Sequence, residues 1–390
     1  MIDFLFGYNS GWSWGTFFLY YAVSVIVVFL CQKGVSYSVG CTNTYNRSLG
    51  LSKNRRKLIS FILFFAAYVI LVLLATVRSN MVGPDTWKYV DDFMFANEAG
   101  TTELFSGDWS VNQVEPFFFF FTSFIRSKTD DYHIFFLCLF ALIAGGYIWF
   151  IKHFLQRGIH TSILKLFILT YVGGMSGMRS ALGMFPLLIS FITLDKKHYT
   201  VSFLCTIVAA LCHYTMIYNL FIVLGVWLVR NLKSIQQTSS VILFALLSII
   251  LSSFSLSFFF DIFADTKYIL YVEDIYEKSF LGSMIYVLLL IFVILKFKQF
   301  NQNKSYQTLL YVSILFLLSY PFIYVSGAYR IASYYALPRL MVWGMLINVV
   351  ALQMKNNRIV FNFGLEVLLF FYILFRFYQV ATNGYFAYVI

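Results

Sequence analysis

The chain reads as an all-α integral membrane protein of about twelve crossings, and three features of its sequence say so. Of its 390 residues 60% are hydrophobic and only 12% charged, against about 25% charged in soluble domains, so too little polar side chain exists to wet a particle of this size. The apolar residues come in runs near the ~20 that a helix rising ~1.5 Å per residue needs to cross hydrocarbon. Basic residues lie between those runs rather than on one face, so the net charge of +11 follows the membrane pattern and excludes a nucleic-acid footprint.

Cuts at charge clusters and turn-forming residues place the crossings at 14–31, 58–77, 133–151, 162–178, 182–194, 199–212, 214–229, 239–260, 281–295, 307–325, 338–352 and 359–377. All belong to one polytopic domain spanning 1–390. The first run stays as a span, because Met1-Ile2-Asp3-Phe4 lacks the basic stretch of a cleaved signal peptide. From 182 to 229 the runs are short and are interrupted by Gly183, Pro186 and His213, which predicts broken or tilted helices. Irregular backbone at membrane depth must be buried in protein or face water, so this stretch is a candidate cavity wall. Cys31, Cys41, Cys138, Cys205 and Cys212 form neither a metal-type spacing nor a disulfide framework.

Charge sets the orientation. With the loops 32–57, 152–165, 195–198, 230–238, 296–306 and 355–358 in the cytoplasm, 18 Lys and Arg fall there with a single acid, Asp195. This is the Lys/Arg bias that fixes topology, and it puts both termini outside the cytoplasmic membrane. Two external segments result. The first, 78–132, carries nine acids and the run Pro116–Arg126, too short to cross and therefore expected as an interfacial or re-entrant helix. The second, 261–280, holds five acids and two lysines, enough for a lid over an outward-facing site.

Five arginines fall on the side where cations are scarce: Arg78, Arg126, Arg179, Arg330 and Arg339. Each taken singly can be a side chain snorkelling to headgroups. Together they suit an anion, because the planar guanidinium fork matches phosphate oxygens, and the anion expected at an outer interface is a lipid-linked diphosphate. Arg179 is the sharpest candidate, since Gly173-Gly174-Met175-Ser176-Gly177 before it and Ser180, Ala181 and Gly183 after it permit close backbone approach. His213, between two half-spans, either bonds a neighbouring carbonyl or relays a proton. The external acids Asp85, Asp91-Asp92, Asp130-Asp131 and Glu115 read as solvated loop acids, with no ligand set complete enough to expect a metal. Glu366, the mid-span acid, reads as a structural hydrogen-bonding group. No Gly-rich phosphate loop faces the cytoplasm, so no nucleotide chemistry and no cofactor are expected there.

The string Arg78-Ser79-Asn80-Met81-Val82-Gly83-Pro84-Asp85-Thr86-Trp87-Lys88-Tyr89 resembles the R…G-x-D-x-x-x-Y signature of EpsG-like membrane proteins, which are similar to the Wzy-type polymerases of bacterial surface polysaccharides. Met178-Arg179-Ser180-Ala181, His213 before Tyr214-Thr215, and Arg330 with Tyr334 and Tyr335 follow in the same order, over about 58–352; Pro84 and Ser180 depart from the usual pattern. The resemblance implies a metal-independent glycosyltransferase in the bacterial cytoplasmic (inner) membrane. It would polymerise polyprenyl-diphosphate-linked oligosaccharide units, such as undecaprenyl-diphosphate units of O-antigen, capsule or exopolysaccharide, among membrane lipids and alongside a chain-length regulator protein. The roles it implies are catalytic for Arg179, His213 and Asp85, diphosphate-binding for Arg78, Arg179, Arg330 and Arg339, and sugar-stacking for Trp87, Tyr89 and Tyr334. The rival readings are a flippase or transporter for the same lipid-linked units and an O-antigen-type ligase.

Overall fold

In a computed structural model, residues 13–38, 52–80, 82–83, 85–96, 115–155, 159–231, 307–325, 330–354 and 357–381 are described. The expected spans 239–260 and 281–295, the external loop 261–280 and the middle of the 78–132 loop lie outside them. The described residues contain helices and no strand, as a lipid-embedded backbone must when every N–H and C=O has to be satisfied within its own segment. The helices are α1 Trp14–Ser38, α2 Lys53–Thr76, α3 Thr86–Phe95, α4 Pro116–Arg126, α5 Tyr132–Leu155, α6 Phe167–Ser176, α7 Met178–Asp195, α8 Tyr199–Cys212, α9 Tyr218–Asn231, α10 Gln307–Val325, α11 Arg330–Tyr334, α12 Ala336–Gln353 and α13 Arg358–Ala381. Short 3₁₀ turns at Ser162–Leu166 and Tyr214–Ile217 lead into α6 and α9.

Among the described residues, seven helical stretches are long and apolar enough to cross a bilayer: α1, α2, α5, α7, Tyr214–Asn231, α12 and Arg358–Gln379. The protein is therefore multi-pass. Four further apolar stretches are shorter, at Pro116–Arg126, Ser162–Ser176, Tyr199–Cys212 and Gln307–Ser319. Of the expected interruptions only His213 falls at a helix break, where α8 ends at Cys212; Gly183 and Pro186 lie inside the continuous α7, and a further break falls at Gly177, after α6.

The described residues fall into two compact units, one made of 1–189, 208–214 and 343–390, the other of 190–207 and 215–342. In the first, α1, α2 and α5 pack side by side. Small residues set how closely they approach: Ser60 donates to the Gly34 carbonyl at 2.7 Å, and a Cβ on Gly34 would lie 2.8 Å from the Phe64 ring. Likewise a Cβ on Gly146 of α5 would lie 3.3 Å from the Phe185 Cα on α7, the small-residue crossing that membrane helices use in place of a hydrophobic drive. At the Lys- and Arg-bearing ends, Lys165 forms an ion pair with Glu366, and His160 meets the Asn362 side chain at 3.2 Å. Glu366 is thus the paired structural group that its mid-span position suggests.

In the second unit, Ser190 bonds the hydroxyls of Ser202 and Thr206, each at 2.8 Å. These bonds tie the end of α7 to the start of α8 across a turn in which Lys197 takes φ 64°. Arg230 donates to the Leu194 carbonyl and to Thr308, joining α9 and α10 to the same turn.

Candidate functional site

The start of α4, the first turn of α7 and the residue after α8 build the site in the first unit, with α3 beside them, and aromatic packing positions α4. α4 opens with Glu115 as its N-cap in extended conformation and Pro116 in the first turn, where the missing proline N–H is no loss. Helical spacing then turns Phe118, Thr122 and Ile125 inward while Phe120 and Phe124 face out. Phe118 packs on Tyr89 of α3 at 5.7 Å and on Phe135 of α5 at 6.4 Å, and Phe93 stacks on Phe135 at 4.9 Å. This cluster holds the start of α4 against the rest of the unit.

Glu115 is fully buried, and both of its oxygens are used. Oε2 accepts from Arg179 Nη1 at 3.1 Å, and Oε1 accepts from His213 Nδ1 at 2.7 Å. Arg179, in the first turn of α7, also lies over the Tyr89 ring with its guanidinium carbon 5.6 Å from the centroid, a cation–π contact. Its side chain stays 23% exposed while Glu115 has no exposure, so Nη1 is committed to the carboxylate while part of the side chain remains accessible. The buried Nε meets no protein acceptor among the described residues.

Burial by itself would raise the Glu115 pKa, but the hydrogen bond from His213 and the positive charge of Arg179 outweigh it and hold the carboxyl below its ordinary range. An ionised carboxylate only accepts hydrogen bonds. The proton at the short contact is therefore on His213 Nδ1, which in a neutral imidazole leaves the lone pair on Nε2.

The loss of helix at Gly177 is what lets Arg179 turn toward Glu115. Gly177 adopts φ −92° and ψ 62°, and the groups freed at the break are re-satisfied. Gly177 N–H donates to the Gly173 carbonyl, Ser180 Oγ to the Gly177 carbonyl, and Arg78 Nη2 to the Met175 carbonyl at 2.5 Å. Gly83 presses on the same break from the other side. Its φ is +97°, and a Cβ there would stand 2.9 Å from Ser176 Cβ, so both conformation and space require glycine. Ser176 Oγ in turn accepts the Asp85 N–H at 3.3 Å.

Of the residues expected at the site, Arg179, His213 and Tyr89 converge, and Glu115 joins them. Reading Glu115 as a solvated loop acid is corrected: it is the buried hub. Asp130 and Asp131, by contrast, are exposed, with Asp130 ion-paired to Arg126. Arg78, expected on a diphosphate, has no exposed surface. Its nitrogens serve the carbonyls of Ala75, Val82 and Met175 and the Thr86 hydroxyl, between the rings of Phe136 and Phe140. Asp85 heads α3 with its carboxylate 3.6 Å from Lys88 Nζ. Trp87 is exposed at the same turn under the Lys88 ammonium, while the buried Tyr89 carries Arg179 on its ring.

In the second unit, Arg339 donates to the carbonyls of Tyr335 and Ala332 and lies over Phe316. Tyr334 meets the Thr215 hydroxyl at 2.7 Å, and Tyr335 donates to Asn219 Oδ1 at 2.5 Å. Arg330 begins α11, and its side chain lies outside the described residues.

The family model of the EpsG family matches residues 61–390, a stretch that takes in every residue of this cluster. The chain belongs to the EpsG family. As an EpsG-family member it is a multi-pass membrane protein of polysaccharide biosynthesis. No curated protein and no solved structure matches it. Within this EpsG-family chain, the elements of the R…G-x-D-x-x-x-Y string have distinct physical tasks: Arg78 ties carbonyls together, Gly83 fits against Ser176, and Tyr89 supports Arg179.

Proposed function

We propose that the chain is a polymerase that joins polyprenyl-diphosphate-linked oligosaccharide units at the outer face of the bacterial cytoplasmic membrane, with both termini on that face. The observation that carries this reading is the sharing of one buried carboxylate, Glu115, by a part-exposed arginine and a histidine.

In the proposed reaction, a hydroxyl oxygen of one lipid-linked unit attacks the anomeric carbon of another. The bond from that carbon to the diphosphate oxygen breaks, the hydroxyl proton passes to His213 Nε2, and the diphosphate leaves with the electron pair. Glu115 holds His213 in the tautomer that can take the proton, the arrangement that makes a base–orienter pair effective in other nucleophilic sites. Arg179 meets the charge that develops on the leaving diphosphate. Fixed in advance by Glu115 and Tyr89, it need not reorganise as the charge appears, which is where such stabilisation gains its size. Arg78 acts one step back, holding the 175–179 segment, and the exposed Trp87 stacks on a sugar. Arg330 and Arg339 are further diphosphate ligands in this proposal, and Tyr334 a further sugar contact.

The test supplies purified protein with lipid-diphosphate oligosaccharide. A ladder of products spaced by one repeat is expected. Leaflet exchange without new bonds would make the protein a flippase, and one addition onto another carrier would make it a ligase. Arg179→Lys keeps a cation for Glu115 but loses the fork, so the ladder should weaken by at least ~10²-fold, the scale of one lost transition-state donor, while the protein inserts at normal levels. An undiminished ladder from that variant overturns the mechanism.

A further inference from the structure

Away from the Glu115 cluster, the paired helices α2 and α5 leave a groove of about 230 Å³ walled by Phe61, Phe64, Phe65, Tyr68, Ile148 and Trp149, with Gly145 at its floor and Lys152 at one end. The wall residues on α2 are spaced as one helical stripe, and those on α5 as another. Phe61, Phe65 and Trp149 are among the exposed large apolar side chains, so among the described residues the groove lies open along its aromatic walls. Among the described residues, the one atom within 4 Å of a Cβ built on Gly145 is Tyr68 Cε2, at 3.9 Å, so none of them crowds the groove there.

The groove is not uniformly apolar. The Lys152 ammonium is drawn over the Phe64 ring at 5.1 Å, which keeps it at the groove. One turn before Phe61 on the same stripe stands Lys57, exposed, within the cluster Lys53, Arg55, Arg56 and Lys57 that has no acid in its turn. That turn is also a helix N-terminus, so the positive end of the α2 dipole adds to its cations. Positive-inside topology accounts for basic residues at this membrane surface, but not for a ring-lined channel leading away from them.

We infer that this groove is a site for an anionic glycerophospholipid, with one acyl chain lying along the aromatic walls and the phosphate headgroup between Lys57 and Lys152. An acyl chain fills a slot that cannot stand empty in hydrocarbon, and rigid rings hold it with little loss of side-chain freedom. Basic pockets between membrane helices are where anionic headgroups are selected. The site is independent of the glycosyl-transfer reading and of which way the protein faces.

The test is native mass spectrometry of the full chain released from bilayers holding equal phosphatidylglycerol and phosphatidylcholine of matched chains. Phosphatidylglycerol should be retained preferentially. Each of Lys57→Ala and Lys152→Ala should lower that preference about five-fold, leaving phosphatidylcholine unchanged, and Gly145→Leu should reduce retained lipid of both kinds. Lys57 is exposed, so its variant stays informative should the change at Lys152 disturb packing. Equal retention of the two lipids by the natural protein, or a Lys57→Ala variant that retains phosphatidylglycerol as before, overturns the inference.

Discussion

His213 and Glu115, 98 residues apart in sequence, share a 2.7 Å hydrogen bond in which the ring donates and a fully buried carboxylate accepts. Arg179 closes the other side of that carboxylate at 3.1 Å. The stability role of such a buried acid and the chemical role proposed for it can be tested separately.

The folded pKa of Glu115 lies below its ordinary 4.5. A depressed carboxyl stabilises the fold fully above its unfolded pKa, and this contribution is lost as pH falls through the folded value. Thermal unfolding in detergent should therefore show no pH dependence from this group between about pH 8 and 5, where its stabilisation is fully present, and a loss on further acidification. Glu115→Gln should remove that acid-side loss. If the variant and the natural protein lose stability in parallel below pH 4.5, the carboxylate is not the group responsible.

Glu115→Ala should be more damaging than Glu115→Gln, because it leaves Arg179 and His213 without their acceptor. The expected loss lies near the lower end of the ~3–5 kcal/mol that follows removal of one partner of a buried pair, since Arg179 retains 23% exposure. Denaturant or thermal midpoints of both variants measure the difference. In the polymerisation assay, Glu115→Gln should lower the turnover number more than it raises KM, because it disturbs the base and not the bulk of the substrate contact.

Arg78 makes a sharper distinction between binding and structure. Its guanidinium serves three carbonyls at once, a geometry lysine cannot copy. Arg78→Lys should leave at least one buried acceptor unmet, at about 1–3 kcal/mol, and appear as less folded protein. Normal stability combined with a raised KM for lipid-linked substrate would return Arg78 to the diphosphate.

Gly83→Ala faces two penalties, a positive φ of 97° and a Cβ 2.9 Å from Ser176. The strain alone is about 1–3 kcal/mol. Ser176→Gly in the same chain removes the clash but not the strain, so it should rescue stability only in part; full rescue would show that conformation costs nothing there.

Gly344→Ala tests packing at the other end of the same unit. A Cβ would fall 2.2 Å from Ile159 Cγ2 and 3.0 Å from the His160 carbonyl, beside the bond from His160 N–H to the Gly344 carbonyl. Overpacking of this kind costs typically ~1–3 kcal/mol, read as a lower unfolding temperature.

Much of the architecture is legible in the chain because hydropathy and helix breaking are local. The limits of α8, 199–212, and of α10, 307–325, coincide with runs bounded by charge and turn residues. α1 continues to Ser38, seven residues past its expected end, because a helix goes on beyond hydrocarbon for as long as its backbone bonds do. Arg179 and His213 stand out in the sequence because ionisable groups beside apolar runs are expensive.

Glu115 did not stand out. It is one acid among nine in its loop, and only its partners from α7 and from the end of α8 remove it from water. By itself the sequence determined that the chain is a multi-pass membrane protein and where most of the described helices start and stop. Tertiary structure alone decided which of its cations is enclosed and which stays part-exposed. Arg78 and Arg179 are chemically the same group, but one is enclosed by carbonyls and aromatic rings and the other rests on a carboxylate with part of its side chain exposed. Charge and hydropathy are properties of a residue, whereas desolvation and hydrogen-bond partnership are properties of what surrounds it.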